Sequence, residues 1–111
     1  MNTYEVEIVD SVNGQFKIIN HLSKTSHLYS VGVNVIAVKL VVPYIVLQTI
    51  GDKFSCMSIN SSVCIWEFMF KNKDDLKIEC WHANKKHLII HYSDCTTEYF
   101  DINSGRLILE K

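Results

Sequence analysis

Five side chains of metal-ligand type fall close together, in the pattern Cys80-x-His82-x4-His87-x3-His91-x3-Cys95. Thiolate and imidazole are the donors that tetrahedral zinc takes, and about four of them must converge on one point. On a strand, His87 and His91 share parity and therefore a face. The pattern has no Cys-x2-Cys knuckle, however, and its ligands lie across two strands and a turn. Cys80 shares parity with Leu76 and Ile78, which places it in a core. The cluster therefore reads as polar surface histidines and a core cysteine, with no metal. Cys95 with His91 has the residue types of a nucleophilic pair, but a reactive thiol needs a depressed pKa and access, and spacing displays neither. Two histidines and a lysine can do ribonuclease-like acid–base work, yet no spacing singles out a pair. A Gly-rich phosphate loop, a Gly-x-Ser-x-Gly elbow and a His-Glu-x-x-His helix are all missing from the sequence. The expectation is a protein with no catalytic residues and no cofactor, hence no enzyme.

Charge points elsewhere. Eleven basic and twelve acidic side chains leave a net charge of -1, so no bulk positive field draws in nucleic acid or an anionic membrane. The carboxylates are unevenly spread. Glu5, Glu7 and Asp10 stand in the first ten residues with no base among them, and Asp74 and Asp75 stand near Glu79. Glu98, Asp101 and Glu110 face only Arg106 and Lys111 after Asp94. Trp81 falls on the same strand face as Glu79, opposite the apolar parity of Leu76, Ile78 and Cys80. A solvent-facing tryptophan beside carboxylates has the make-up of a binding hot spot with a steering rim. Asp74, Asp75, Glu79, Trp81 and Glu98 are the expected partner-binding residues. An aromatic tucked against its neighbour on a surface turn fits the same residues.

The elements that must position these groups are strands. The dominant period is two: Tyr4, Val6 and Ile8 alternate with Glu5 and Glu7. Asn13-Gly14 is a hairpin signal, and Phe16 to Ile19 is its return strand. His21 to Gly32 loses the alternation and reads as a loop or a short irregular helix. Val33 to Val42 is nearly continuous in Val and Ile, as a strand covered on both faces is, and Pro43 punctuates it. Tyr44 to Ile50, Phe54 to Ile59 and Val63 to Phe70 follow as strands, the last with Trp66, Phe68 and Phe70 on one face. Beyond the charged connection Lys71 to Asp75, strands are expected from Leu76 to Trp81, Leu88 to Tyr92, Thr96 to Asp101 and Arg106 to Glu110.

The strands repeat. Ile59-Asn60-Ser61 returns as Ile102-Asn103-Ser104, 43 positions on. The same offset pairs Ile45-Val46-Leu47 with Leu88-Ile89-Ile90, and Ile65-Trp66-Glu67 with Ile108-Leu109-Glu110. A period of ~40–50 residues with four short strands is that of a β-propeller blade. Val33 to Phe70 is then one blade, Leu76 to Glu110 the next, and the Tyr4 to Ile19 hairpin part of a third. Closed propellers have ~4–8 blades. These 111 residues, one all-β domain over 1–111, hold about two and a half, which predicts an open half-propeller with uncovered edges. The alternative is a small β-sandwich or barrel.

The N-terminus, Met1 to Glu7, has no basic start and no apolar core, unlike a signal peptide. Lys39 and Pro43 interrupt the most apolar stretch, Val31 to Ile50, leaving it short of the ~20 residues of a membrane helix. A cytoplasmic protein is expected, with Cys56, Cys64, Cys80 and Cys95 reduced and mostly buried.

The two blade-like repeats carrying Ile59-Asn60-Ser61 and Ile102-Asn103-Ser104, with the Asp101 to Gly105 turn, resemble the small immunity proteins of bacterial contact-dependent growth inhibition systems. The resemblance is to those whose half-propeller fold caps an RNase A-like toxin. It covers the whole chain in architecture; such proteins share no signature, so it assigns no residue a role. It implies a toxin inhibitor that binds the cognate toxin's C-terminal domain, a basic ribonuclease, as a monomer in a 1:1 complex, and keeps RNA from its active site. A standard interface of ~1,600 Å² fits on one face of a chain this size. The alternative is a self-assembling or scaffold propeller-like module.

Overall fold

The computed structural model describes residues 3–51, 53–59, 63–69 and 77–110. Every regular element among them is a strand. A first antiparallel sheet joins β1 (Tyr4–Asp10), β2 (Gln15–Asn20) and β3 (Thr25–Ser30) in chain order. A second joins β4 (Val35–Val41), β5 (Tyr44–Thr49), β6 (Lys53–Ser58) and β7 (Cys64–Met69). A third joins β8 (Ile78–Ala83), β9 (His87–Tyr92), β10 (Thr97–Asp101) and β11 (Leu107–Glu110). Each sheet is a meander, the arrangement that short hairpin turns impose on consecutive strands. The two four-stranded sheets coincide with the two blades read from the sequence. The exception is β3, which lies within the expected loop. Of its six residues only Tyr29 is buried, so this edge strand carries almost no alternation to read.

The sheets stack face to face, and the middle one is covered on both sides. Ile45 and Leu47 of β5 pack with Phe16, Ile18 and Tyr29 of the first sheet. Val46 points the other way, into a cluster with Phe54, Cys56 and Trp66 of its own sheet and Trp81, Leu88, Ile90 and Tyr92 of the third. Burial on both faces is why β5 is apolar without alternation. Strand β4 touches both β1 and β8, so the first strands of the three sheets meet at one rim and the sheets fan out from it. Among the described residues no strand pairs between sheets. That is an open half-propeller rather than a barrel or a two-layered sandwich.

The repeat reaches the details of the strands. Val35, Tyr44 and Cys64 open β4, β5 and β7; Ile78, His87 and Leu107, each 43 positions later, open β8, β9 and β11. The irregularities repeat as well. The pairing of β4 with β5 skips Ile36, and that of β8 with β9 skips Glu79. The outer pairs skip Ile65 and Ile108 in the same way. A bulged residue has no place in the ladder and is pushed outward, which explains why Ile36, Ile65 and Ile108 are exposed apolar side chains.

The turn after β10 fastens one blade to the next. Trp66 Nε1 donates to the Ile102 carbonyl at 2.7 Å, with Ile102 fully buried. Gly105 takes a φ of +71°, and a Cβ there would stand 2.7 Å from the Trp66 indole. The position thus excludes a side chain on backbone and on space. The β1–β2 turn, which also runs from an Asp to a Gly, has Asp10 accepting from Asn13 twice, at 3.3 Å from the backbone and 2.6 Å from the side chain. These bonds hold the Asp10 carboxyl below its ordinary value, the Asn13 side chain contributing most.

Candidate functional site

Of the expected partner-binding residues the structure describes Glu79, Trp81 and Glu98. Asp74 and Asp75 lie outside the described residues. Glu79 is exposed, at the bulge of β8. Glu98 is half-buried and its carboxylate accepts from the Tyr92 hydroxyl, a buried neighbour across the sheet. Trp81 does not face solvent. It is 4% exposed, deep in the join between the second and third sheets. Its indole Nε1 donates to Gln48 Oε1 at 2.8 Å, and its ring meets the Phe54 ring edge-on at 5.4 Å. Lys39 Nζ lies 4.4 Å from the indole centroid and donates to the Trp81 carbonyl, a cation–π contact at the same join. Trp81 is a core residue, not a solvent-facing anchor.

One feature of β8 causes both this reversal and that of Cys80. Reading parity from Ile78 puts Cys80 inward and Trp81 outward. The bulge between Ile78 and Cys80 inserts one residue, and a single insertion moves every later side chain to the other face. Cys80 and His82 therefore face out, and both are exposed. The four cysteines are free thiols as expected, but only Cys56 is buried; Cys64, Cys80 and Cys95 are exposed. Burial pushes the Cys56 thiol up to about 12 and also raises Cys64, with Glu67 adding to it. Neither is an activated nucleophile. Cys95 sits in the β9–β10 turn at a φ of +69°, while His91 Nδ1 shares a hydrogen bond with Thr97 Oγ1 at 3.0 Å. Cys95 and His91 therefore make no hydrogen bond to one another among the described residues.

Among the described residues the structure instead leaves one face of the third sheet uncovered. Leu88, Ile90 and Tyr92 turn one side of β9 into the core, and His87, Ile89 and His91 hold the other. Register places His91 opposite Cys80 on one flank and Thr97 on the other. His82 and Tyr99 flank Ile89 in the same way. The His82 and His91 rings meet edge-to-face at 5.3 Å, and His87 meets Tyr99 at 5.9 Å. The donor atoms of Cys80, His82 and His91 all lie within 4.8 Å of one another. Of the five ligand-type residues in the sequence pattern these three converge, while His87 is engaged with Tyr99. The alternation in β9 could have revealed this face, because Leu88, Ile90 and Tyr92 fix its parity unambiguously; β8 could not.

The far face of the first sheet differs in character. His21 Nε2 and Glu5 Oε2 are 3.0 Å apart at its surface, and a shallow depression of about 320 Å³ runs along Lys17, Ile19, His21 and Lys24. No helix among the described residues is long and apolar enough to cross a membrane.

No family model and no curated protein matches this sequence. Solved structures do share its fold. BamB from Moraxella catarrhalis superposes with a TM-score of 0.68 at 11% identity, covering 90% of this chain and 32% of that one. The computationally designed Ika8 protein gives 0.66 at 13%, covering 96% and 35%. The N-terminal domain of Nup159 gives 0.60 at 11%, covering 89% and 26%. At these identities the likeness concerns the fold alone, and this chain spans about a third of the length of the first two. All three are β-propeller-type folds, and the present chain is an open sector of that architecture, a half-propeller of three antiparallel sheets.

Proposed function

We propose that the chain is a protein-interaction module acting in the cytoplasm, whose uncovered blade faces receive another polypeptide. We further propose that this partner is the ribonuclease toxin domain of a contact-dependent growth inhibition system, bound 1:1 and blocked at its active site. The observation that carries the first statement is the unequal covering of the sheets. In a closed propeller every blade is flanked by two others; here, among the described residues, only the middle sheet is, and the third shows a face of histidines, Ile89 and Tyr99. Uncovered faces with aromatic and apolar content are where proteins dock. The second statement is supported by the resemblance of the repeat and its turns. A ribonuclease cleft is positive, so carboxylates on the inhibitor accelerate encounter. Glu79 is the exposed carboxylate among the described residues of the expected set, and Asp74 and Asp75 remain candidates for the same role. Trp81 is not an anchor for the partner.

Co-expression with a candidate toxin's C-terminal domain tests this directly. Restored growth and a 1:1 complex by sedimentation are expected, with Glu79→Lys slowing association several-fold at low salt. Self-association of the isolated chain into a ring, with no growth rescue, would favour the scaffold reading and overturn the inhibitor.

A further inference from the structure

We propose that Cys80, His82 and His91 form a binding site for a borderline-soft transition cation of the Zn2+ type on the open face of the third sheet. The site does not depend on the identity of any protein partner. One thiol and two imidazoles make up the donor set, which suits Zn2+ and disfavours the hard cations Mg2+ and Ca2+. Cys80 and His91 are direct cross-strand partners, a relation that brings Cβ atoms to about 5 Å. Cys80 and His82 are two apart on β8 and share its outer face, and the bulge is what puts them there.

The three donor atoms lie within 4.8 Å of one another, and Cys80 Sγ is 4.0 Å from His82 Nε2. Zinc–sulfur and zinc–nitrogen bonds of about 2.3 and 2.0 Å require donor separations of roughly 3.3–3.6 Å. Closing from the present spacing takes movements of under about 1 Å by side chains at the surface, which ordinary rotamer adjustment supplies. Binding converts the Cys80 thiol to a thiolate and releases its proton to solvent.

A second observation concerns the ring that must hold still. A ligating histidine generally gives its other nitrogen to a hydrogen-bond partner, which fixes tautomer and orientation. His91 Nδ1 already shares such a bond with Thr97 Oγ1 at 3.0 Å. That leaves Nε2 as its donor to the cation. Three protein ligands leave the fourth tetrahedral position to water, the arrangement of an exchangeable site rather than of a closed structural one.

The test uses the whole chain, stripped with chelator and titrated with Co2+ as a spectroscopic stand-in. We expect one equivalent bound, with the thiolate-to-metal charge-transfer band and the intense d–d bands of a tetrahedral site, all bleached by added Zn2+. Cys80→Ser should abolish the charge-transfer band, and His82→Ala and His91→Ala should each weaken binding at least tenfold. Thr97→Val should weaken it about 10- to 100-fold, as loss of an orienting partner does. Cys64→Ser and Cys95→Ser should leave the band unchanged. A titration with no saturable equivalent, or a band that survives Cys80→Ser or vanishes with Cys95→Ser, would overturn the site. Should Cys80→Ser lose its sheet signature in circular dichroism, alkylation of the unaltered chain decides. Zn2+ must protect Cys80 from iodoacetamide by mass spectrometry, and equal labelling with and without the cation refutes the proposal.

Discussion

Replacing Trp81 with phenylalanine probes the join between the second and third sheets, because most of the ring packing survives while the N–H donor is lost. That donor serves Gln48 Oε1 at 2.8 Å between two buried residues. Leaving a buried acceptor without its partner costs about 1–3 kcal/mol. The smaller ring opens a void worth about 1 kcal/mol at the usual cost of cavity volume. The edge-on contact with Phe54 at 5.4 Å loses part of a term of roughly 0.5–1.5 kcal/mol. Together these give a loss of about 2–4 kcal/mol, a large share of the ~5–15 kcal/mol that holds a domain folded. Urea unfolding followed by far-UV circular dichroism reads this as a midpoint lowered by roughly 1–3 M at unchanged slope. Gln48→Leu supplies the other corner of a double-mutant cycle. With both partners apolar no orphaned oxygen remains, so the double variant should recover about 1–2 kcal/mol of the summed losses. Strict additivity, or a Trp81→Phe shift within the ~0.5 kcal/mol of a surface substitution, would refute the buried placement and return Trp81 to the surface.

Other expectations follow from features of the turns and thiols. Gly105→Ala must hold a left-handed residue, at about 1–2 kcal/mol, and also push on Trp66, whereas a Cβ at Gly51, with φ +83°, would meet open space. Thermal unfolding should therefore show Gly105→Ala to be the more damaging, and equal melting points would contradict the contact. Asp10 has a depressed folded pKa, so its contribution is complete above the ordinary value of 3.8 and disappears as pH falls through the folded value. The gap in urea midpoint between the unaltered chain and Asp10→Ala should accordingly narrow in acid, and a gap that widens there would reverse the assignment. In the metal-free folded chain iodoacetamide should modify Cys64, Cys80 and Cys95 but spare buried Cys56. A fourth adduct without denaturant would show that this core is accessible.

The sequence disclosed the blades because their signals are redundant. Alternation in β1 and β9, the Asn13-Gly14 turn and the 43-residue offset all point to the same strands. Strand β3 escaped because Thr25, Ser26 and His27 are all exposed, so nothing distinguishes them from a loop. The candidate site was half legible. Residue types pointed to Cys80, His82 and His91, but convergence depends on register, and register depends on the bulge before Cys80. Glu79 at that bulge is an ordinary strand-compatible residue in sequence, and nothing marks it as unpaired. The same shift exchanged Trp81 and Cys80, so a misplaced hot spot and an overlooked ligand set share one cause.

The doubly clad β5 governs how such a fan comes apart. Peeling off the first sheet wets Ile45 and Leu47, and peeling off the third wets Val46. Each flank is thus held by about one side of a common keel, and neither can melt without soaking part of it. Repeat architectures lose structure from their ends by such nearest-neighbour steps. Amides in β5 would be the last to trade hydrogen for deuterium, and those of β3 and β11 the first.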